Sequence, residues 1–264
     1  MEELLTVLGT SKKNMNMNEY KIAVVLSCND NPNYTQWVEY TCRAWRKLGV
    51  DPILFSIDAG DSFVGPERII QVKNKYGVKS SSVAQVCRLY APSLLTEYDS
   101  VLIADIDQIP LPNPYFEKYT TTSIAQQSFV VMRKVGSTYF MGWNTAPPSV
   151  WTELTGVWDL DSFEAKLASI YSSNKNPAWG LDQSLLHRYV SRYDNTIFVE
   201  DLDYYAISVE PGKLSRKGIF RLNKPKPAKN IQLEDIDFSK DIIAGTATAR
   251  HFDASLLEQI LNKY

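Results

Sequence analysis

No apolar run in this sequence approaches the roughly 18 residues that a membrane-spanning helix needs, so no span is expected. The opening, MEELLTVLGTSKKN, starts with two acids and lacks the long apolar centre of a secretory signal. A soluble, cytoplasmic protein is expected on that ground. Cysteine is scarce: Cys28, Cys42 and Cys87 are an odd three with no C-x-x-C pair, which excludes a disulfide framework and any zinc signature built on cysteine pairs. Histidine is scarcer still, with two residues. An excess of one charge is also missing. Lys and Arg number 28 and Asp and Glu 30, a net charge of −2, without the basic surplus of a nucleic-acid binder. Glycine and basic residues are absent from SCNDNPNY, the loop after the first apolar run. A nucleotidyltransferase that builds sugar nucleotides would carry both there.

What is present is ordinary for a globular chain of 264 residues: 44% apolar and 22% charged, enough for one large domain or two small ones. Residues 1–19 read as a loose tail before a domain covering 20–264. Ile22 to Leu26 is a continuous, β-branched run, the mark of a buried parallel strand. Trp37, Tyr40, Ala44 and Leu48 recur at helical spacing up to Gly49. Ile53–Ile57 is a second strand. Val83, Val86, Leu89 and Tyr90 mark a helix that Pro92 bends or ends, and Val101–Ala104 is a third strand. Pro110, Pro112 and Pro114 predict an irregular loop. Phe129–Met132 and Thr196–Val199 are further strands. Asp161 is placed to cap a helix with Glu164 at its third position, Asp182 begins another, and Asp253 caps a last one. Alternating β and α to about residue 110, then a mixed half, predicts an α/β open sheet flanked by helices, in a single domain.

In such sheets ligands bind beyond the carboxyl ends of the strands. Three of those ends carry polar groups: Ser27, Cys28 and Asn29; Asp58; and Asp105-Ile106-Asp107. In extended chain, residues i and i+2 point the same way, so Asp105 and Asp107 can face one cavity. Neighbouring carboxylates repel unless a cation lies between them, and a hard divalent ion prefers such oxygens, completing its shell with phosphate oxygens and water. A metal-bound diphosphate is therefore expected. The chain holds four D-x-D triplets. Asp159/Asp161 stands at a helix start, where capping explains it. Asp235/Asp237 lies in a polar stretch, and Asp201/Asp203 follows a strand and is the rival. Only Asp105/Asp107 follows a pure apolar strand directly.

VLIADIDQIPLPNPYF, followed about eighty residues later by WGLDQSLLHRY, resembles the GT-A-fold glycosyltransferases, most closely the branch containing glycogenin. The similarity extends over most of residues 21–255, through short motifs. It implies a GT-A-like, Rossmann-like fold, with residues 20–115 as the nucleotide-binding half and 116–264 as the acceptor-binding half. It further implies transfer of a sugar from a UDP-sugar to a hydroxyl of a glycan or glycoprotein. The D-x-D aspartates would hold Mn2+, with Mg2+ as the alternative. CNDNPNY resembles the loop that contacts uracil, which points to Asn29 and Tyr34. CRLYAPSLLTEYDS points to Arg88 as a donor contact. The Asp-Gln element gives Asp182 a place beside the transferred sugar. RHFDAS implies His251 as the third metal ligand, and an imidazole there favours Mn2+ over Mg2+. The family's Asn-Ser-Gly element falls near Gly142, with Asn144 close by, whereas the Gly and Lys that should follow His251 are missing.

Several residues keep two readings. Asp182 is either a helix-terminus acid or the group that deprotonates the acceptor or supports an oxocarbenium ion. Trp143, Trp151, Trp179 and Gly180 are core or an acceptor-sugar platform. Asp58 either contacts base or ribose or simply ends its strand. His187 falls within a helix and reads as structural. Residues 211–230 carry seven Lys and Arg and no acid, and make either a lid over phosphates or a solvated linker. A non-catalytic sugar- or nucleotide-binding module remains the alternative in another class.

Overall fold

IAVVLSCN, the strand β1 (Ile22–Asn29), is buried along nearly its whole length, and its alternate residues divide between two cores. That is what a central strand covered by helices on both faces must do. The computed structural model describes residues 19–110, 114–132, 134–135, 138–139, 141–199, 246–248 and 254–263. Residues 1–18 of the expected tail (1–19), the Asp201/Asp203 and Asp235/Asp237 triplets, the basic stretch 211–230, His251 and Asp253 lie outside these residues.

After β1 come α1 (Pro32–Thr35), α2 (Val38–Lys47), β2 (Asp51–Ile57), β3 (Arg68–Val72), α3 (Ser80–Tyr90) and β4 (Ser100–Ile103). They are followed by β5 (Gln108–Pro110), α4 (Pro114–Gln126), β6 (Phe129–Val131), β7 (Lys134–Val135), β8 (Thr138–Tyr139) and β9 (Asn144–Ala146). The remaining elements are α5 (Pro148–Thr155), α6 (Leu160–Ser173), α7 (Leu181–Val190), β10 (Thr196–Phe198), β11 (Thr246–Thr248) and α8 (Ala254–Asn262). Seven strands form one sheet in the order β10-β6-β9-β4-β1-β2-β3. β1 pairs in parallel with both β2 and β4, while β9 runs antiparallel between β4 and β6. The sheet is therefore mixed, as expected for the α/β class.

Ile22, Val24, Leu26 and Cys28 pack with α2, Phe116 of α4 and the last helix. Ala23 and Val25 pack with α3, α5, α6 and α7. Trp45 of α2 meets Phe116 edge-on with ring centroids 5.1 Å apart. Leu257, Ile260 and Leu261 bring α8 into this core, and Arg43 of α2 grips Glu258 through both guanidinium nitrogens at 2.7 and 3.1 Å. That pair is partly exposed, so its contribution is at most about 1 kcal/mol.

Three local expectations need correction. The chain forms a strand at Arg68–Val72 that the short, half-exposed RIIQV does not announce, so Asp105 follows the fourth strand in chain order rather than the third. The cap of α6 is Asp159, not Asp161. Asp159 is extended, its carboxylate accepts the Ser162 N–H at 2.8 Å, and its own N–H donates to Ser162 Oγ at 3.0 Å. Pro110 and Pro114 do not belong to one irregular loop. Pro110 closes β5 and Pro114 begins α4, where a proline loses nothing because a first-turn N–H has no helical acceptor.

Candidate active site

The strand order reverses between β1 and β4. From β1 the chain moves outward through β2 to β3, and β4 then returns to the opposite side of β1. Crossovers that leave a sheet in opposite directions open a crevice at the carboxyl ends of the two strands. Asn29 ends β1, and Asp105 stands two residues beyond the end of β4. Ala104 N–H still donates to Val25 O, at 3.1 Å, so the sheet holds the backbone up to the aspartate.

The D-x-D segment is a turn, not a continued strand. Asp105 O accepts the Gln108 N–H at 3.2 Å, and Ile106 O accepts Thr41 Oγ of α2 at 2.7 Å. Strand alternation therefore does not aim the two carboxylates. Asp105 bonds Arg88, and Asp107 is buried at 7% exposure. Thr41 is a contributor that sequence reasoning missed, because a threonine inside an amphipathic helix carries no signal of a distant carbonyl.

Arg88 sits near the end of α3, largely buried, between two carboxylates. Its Nη1 donates to Asp105 Oδ1, and its Nη2 donates to Asp182 Oδ2 at 2.9 Å. Burial alone would pull the guanidinium pKa down. The charges of Asp105 and Asp182 outweigh that and hold it above its ordinary value. Asp182 is 2% exposed, and its other oxygen accepts the Gln183 N–H at 2.8 Å. Gly180, with φ 86°, caps α7 in a left-handed conformation and so turns the chain that carries Asp182 inward. Trp179 just before it is 81% exposed.

The other expected residues have distinct surroundings. Ser27 Oγ donates to Ala84 O of α3 at 2.7 Å, which ties β1 to the helix of Arg88. Asn29 Nδ2 reaches Asp30 Oδ1 at 3.4 Å, and half-buried Tyr34 packs on the α2 core. The Ile106 side chain is buried. Asp58 has φ 55°, and its carboxylate accepts the Asn74 N–H at 2.9 Å and Ser80 Oγ at 2.7 Å. It fastens the end of β2 to the start of α3. Gly142 and Asn144 flank Trp143 beside β4, with Asn144 in register with Ile103 and its Nδ2 donating to Met141 O at 3.2 Å. Trp143 itself is 1% exposed with its ring 6.5 Å from Phe116. It belongs to the core, so the expectation of an acceptor platform there is corrected. Its φ of 107° is unfavourable for a bulky residue, and two backbone bonds impose it: Trp143 N–H to Ile103 O at 2.8 Å and Met132 N–H to Trp143 O at 3.0 Å. Trp151 is likewise fully buried.

Cys28 is core as well, and burial pushes its thiol up to about 12. Cys42 and Cys87 are also buried, and burial raises both thiols further. At pH 8 a group with that pKa is thiolate in only about one molecule in ten thousand. Ellman's reagent at pH 8 is therefore expected to find almost no reactive thiol in the native protein and all three after unfolding in guanidinium. Fast native labelling of Cys28 would contradict its place in the core.

A divalent cation expected on Asp105 and Asp107 can be tested against these donors. Arg88 takes only Oδ1 of Asp105. Gln108 Oε1, next to Asp107, is buried with no hydrogen-bond partner among the described residues. The segment thus offers carboxylate and amide oxygens alone, a set that suits a hard divalent ion. Among the described residues no three His, Cys, Asp or Glu converge, and His251 is not one of those residues. No helix among them is long and apolar enough to cross a membrane.

The sequence matches no protein-family model and no curated protein. Solved structures similar to it include the glycosyltransferase GlyE of Streptococcus pneumoniae TIGR4, at 18% identity and a TM-score of 0.43, over 69% of this chain and 45% of that one. Others are the galactosyltransferase LgtC in complex with donor and acceptor sugar analogs (15%, 0.38, 67% and 72%) and the bifunctional glycosyltransferase WbbM (12%, 0.43, 69% and 39%). The chain thus spans less than half of GlyE and of WbbM. At these TM-scores the likenesses assign neither residue roles nor substrates.

Proposed function

We propose that this protein is a metal-dependent glycosyltransferase that moves a sugar from a nucleotide-diphosphate donor, a UDP-sugar, to a hydroxyl of a glycan or glycoprotein. One observation carries the reading. Arg88, Asp105 and Asp182 meet as a nearly buried charged triad beside the crevice where the strand order reverses. Buried ion pairs are costly to assemble and weak as stabilisers, so a triad at a ligand crevice points to chemistry. The motif resemblance of VLIADIDQIP and WGLDQSLLHRY supplies the class of that chemistry.

Asp105 and Asp107 would hold the cation, Mn2+ by preference with Mg2+ possible. His251 is proposed as the third ligand. It stands three residues after Thr248, which pairs with Gln108, and Gln108 directly follows Asp107. Such an ion, when bound, neutralises the charge of the leaving diphosphate. Asn29 and Tyr34 would contact the base. Arg88 holds Asp105 and Asp182 in place and presents positive charge to the donor. Both oxygens of Asp182 are already engaged, so it is poorly placed to take a proton from an acceptor. Its fixed negative charge suits the support of a developing oxocarbenium ion, the retaining course. Trp179, exposed at the start of α7, is proposed as the face on which the acceptor sugar stacks.

The test is a melting measurement. A nucleotide present at a hundred times its Kd stabilises the native state by about 2.7 kcal/mol, or about 5–10 °C in a chain of this size. UDP with Mn2+ is expected to give a shift of that order, and UDP with EDTA almost none. Equal shifts in both would refute the metal-bridged site.

A further inference from the structure

We infer that Arg88 is a resident counter-cation that makes metal binding depend on the nucleotide. The inference rests on the glycosyltransferase reading above and adds a coupling to it. The triad places one guanidinium on two carboxylates, one of them an expected metal ligand. Without ligand, Arg88 offsets negative charge that the protein would otherwise have to bury. A divalent ion arriving alone must share Asp105 with that guanidinium and sit beside its positive charge. A diphosphate changes the balance, because its oxygens can accept from Arg88 and coordinate the ion together. Arg88 Nε, buried without a partner among the described residues, shows that the guanidinium has donor capacity its carboxylates leave unused. Asp105 Oδ2 likewise receives no hydrogen bond among those residues, so the ion has an oxygen to approach. Metal and diphosphate therefore bind with positive coupling, and the coupling is reciprocal: each raises the affinity of the other by the same factor.

The probes are Mn2+ and UDP, read as free Mn2+ by electron paramagnetic resonance on the full chain, with melting curves confirming that each variant folds. In the natural protein UDP is expected to tighten Mn2+ at least about tenfold. In Arg88→Gln, Mn2+ alone is expected to bind roughly tenfold tighter than in the natural protein, and UDP is expected to improve it less than about threefold. Arg88→Lys keeps the charge and should keep the coupling. Asp182→Asn removes the competing carboxylate, leaves Arg88 to Asp105 alone, and should weaken Mn2+ binding without UDP. This second variant carries the test if Arg88→Gln does not fold. If Mn2+ alone binds Arg88→Gln no tighter than the natural protein, or binds Asp182→Asn no more weakly, the counter-cation idea is overturned while a metal site stands. If the natural protein holds no Mn2+ even with UDP, the metal-dependent reading itself falls, and the inference with it.

Discussion

Asp107→Ala is expected to abolish the Mn2+-dependent part of the UDP melting shift and to lower sugar transfer by about a hundredfold to a thousandfold. A bound cation contributes several kcal/mol to stabilising a leaving diphosphate, and each 1.36 kcal/mol is a factor of ten in rate. The backbone of the turn is held by its neighbours: Asp105 O accepts the Gln108 N–H, and Ile106 O accepts Thr41 Oγ. Loss of ligand binding is separated from loss of fold by the melting temperature without ligand. Asp161→Ala is the matched control. It removes one member of another D-x-D triplet, exposed in the first turn of α6, and should leave transfer and the UDP shift unchanged. If Asp107→Ala retains the full Mn2+-dependent shift, Asp107 is not a ligand.

Trp151→Ala is expected to cost about 3–5 kcal/mol of stability, a fall in melting temperature of roughly 10 °C. Trp151 is fully buried on α5, with its ring edge-on to Phe129 at 4.8 Å. Its Nε1 donates to Val101 O of β4 at 3.0 Å, so it joins the helix layer to the strand that leads to Asp105. Alanine would leave a large cavity and remove the Nε1 bond to Val101 O. Trp151→Phe keeps an aromatic ring there but loses the N–H and part of the indole volume, so about 1–3 kcal/mol is expected. Urea melts of the two variants give the comparison. A loss below about 1 kcal/mol for alanine would show that the core relaxes around the site and that Trp151 does not organise it.

The elements that were legible in advance share one property: their signals are local and strong. Ile22–Leu26 and Val101–Ala104 are continuous apolar runs, and the helix before Gly49 has a clear period. RIIQV failed because an edge strand whose exposed residues, Arg68 and Gln71, lie three apart shows neither a full run nor clean alternation. The α6 cap was displaced by two residues because Asp159 and Asp161 are equivalent by type, and only the backbone shows which is extended. The tryptophans of the candidate site divided in the same way. Composition cannot tell Trp143, buried beside Phe116, from Trp179, open to solvent.

The chain's own order of residues determined the α/β class, the carboxylates at the end of an apolar strand and the exclusion of disulfide and cysteine-paired zinc frameworks. Periodicity and residue chemistry act over a few positions and need no knowledge of the rest. Tertiary structure alone decided that Arg88 joins Asp105, 17 residues away, to Asp182, 94 residues away. It also decided that Asp58 fastens a loop and that the D-x-D segment is a turn held by Thr41. Each of these depends on where crossovers deliver distant segments, and on the free-energy penalty that forces every buried charge to find its partner there.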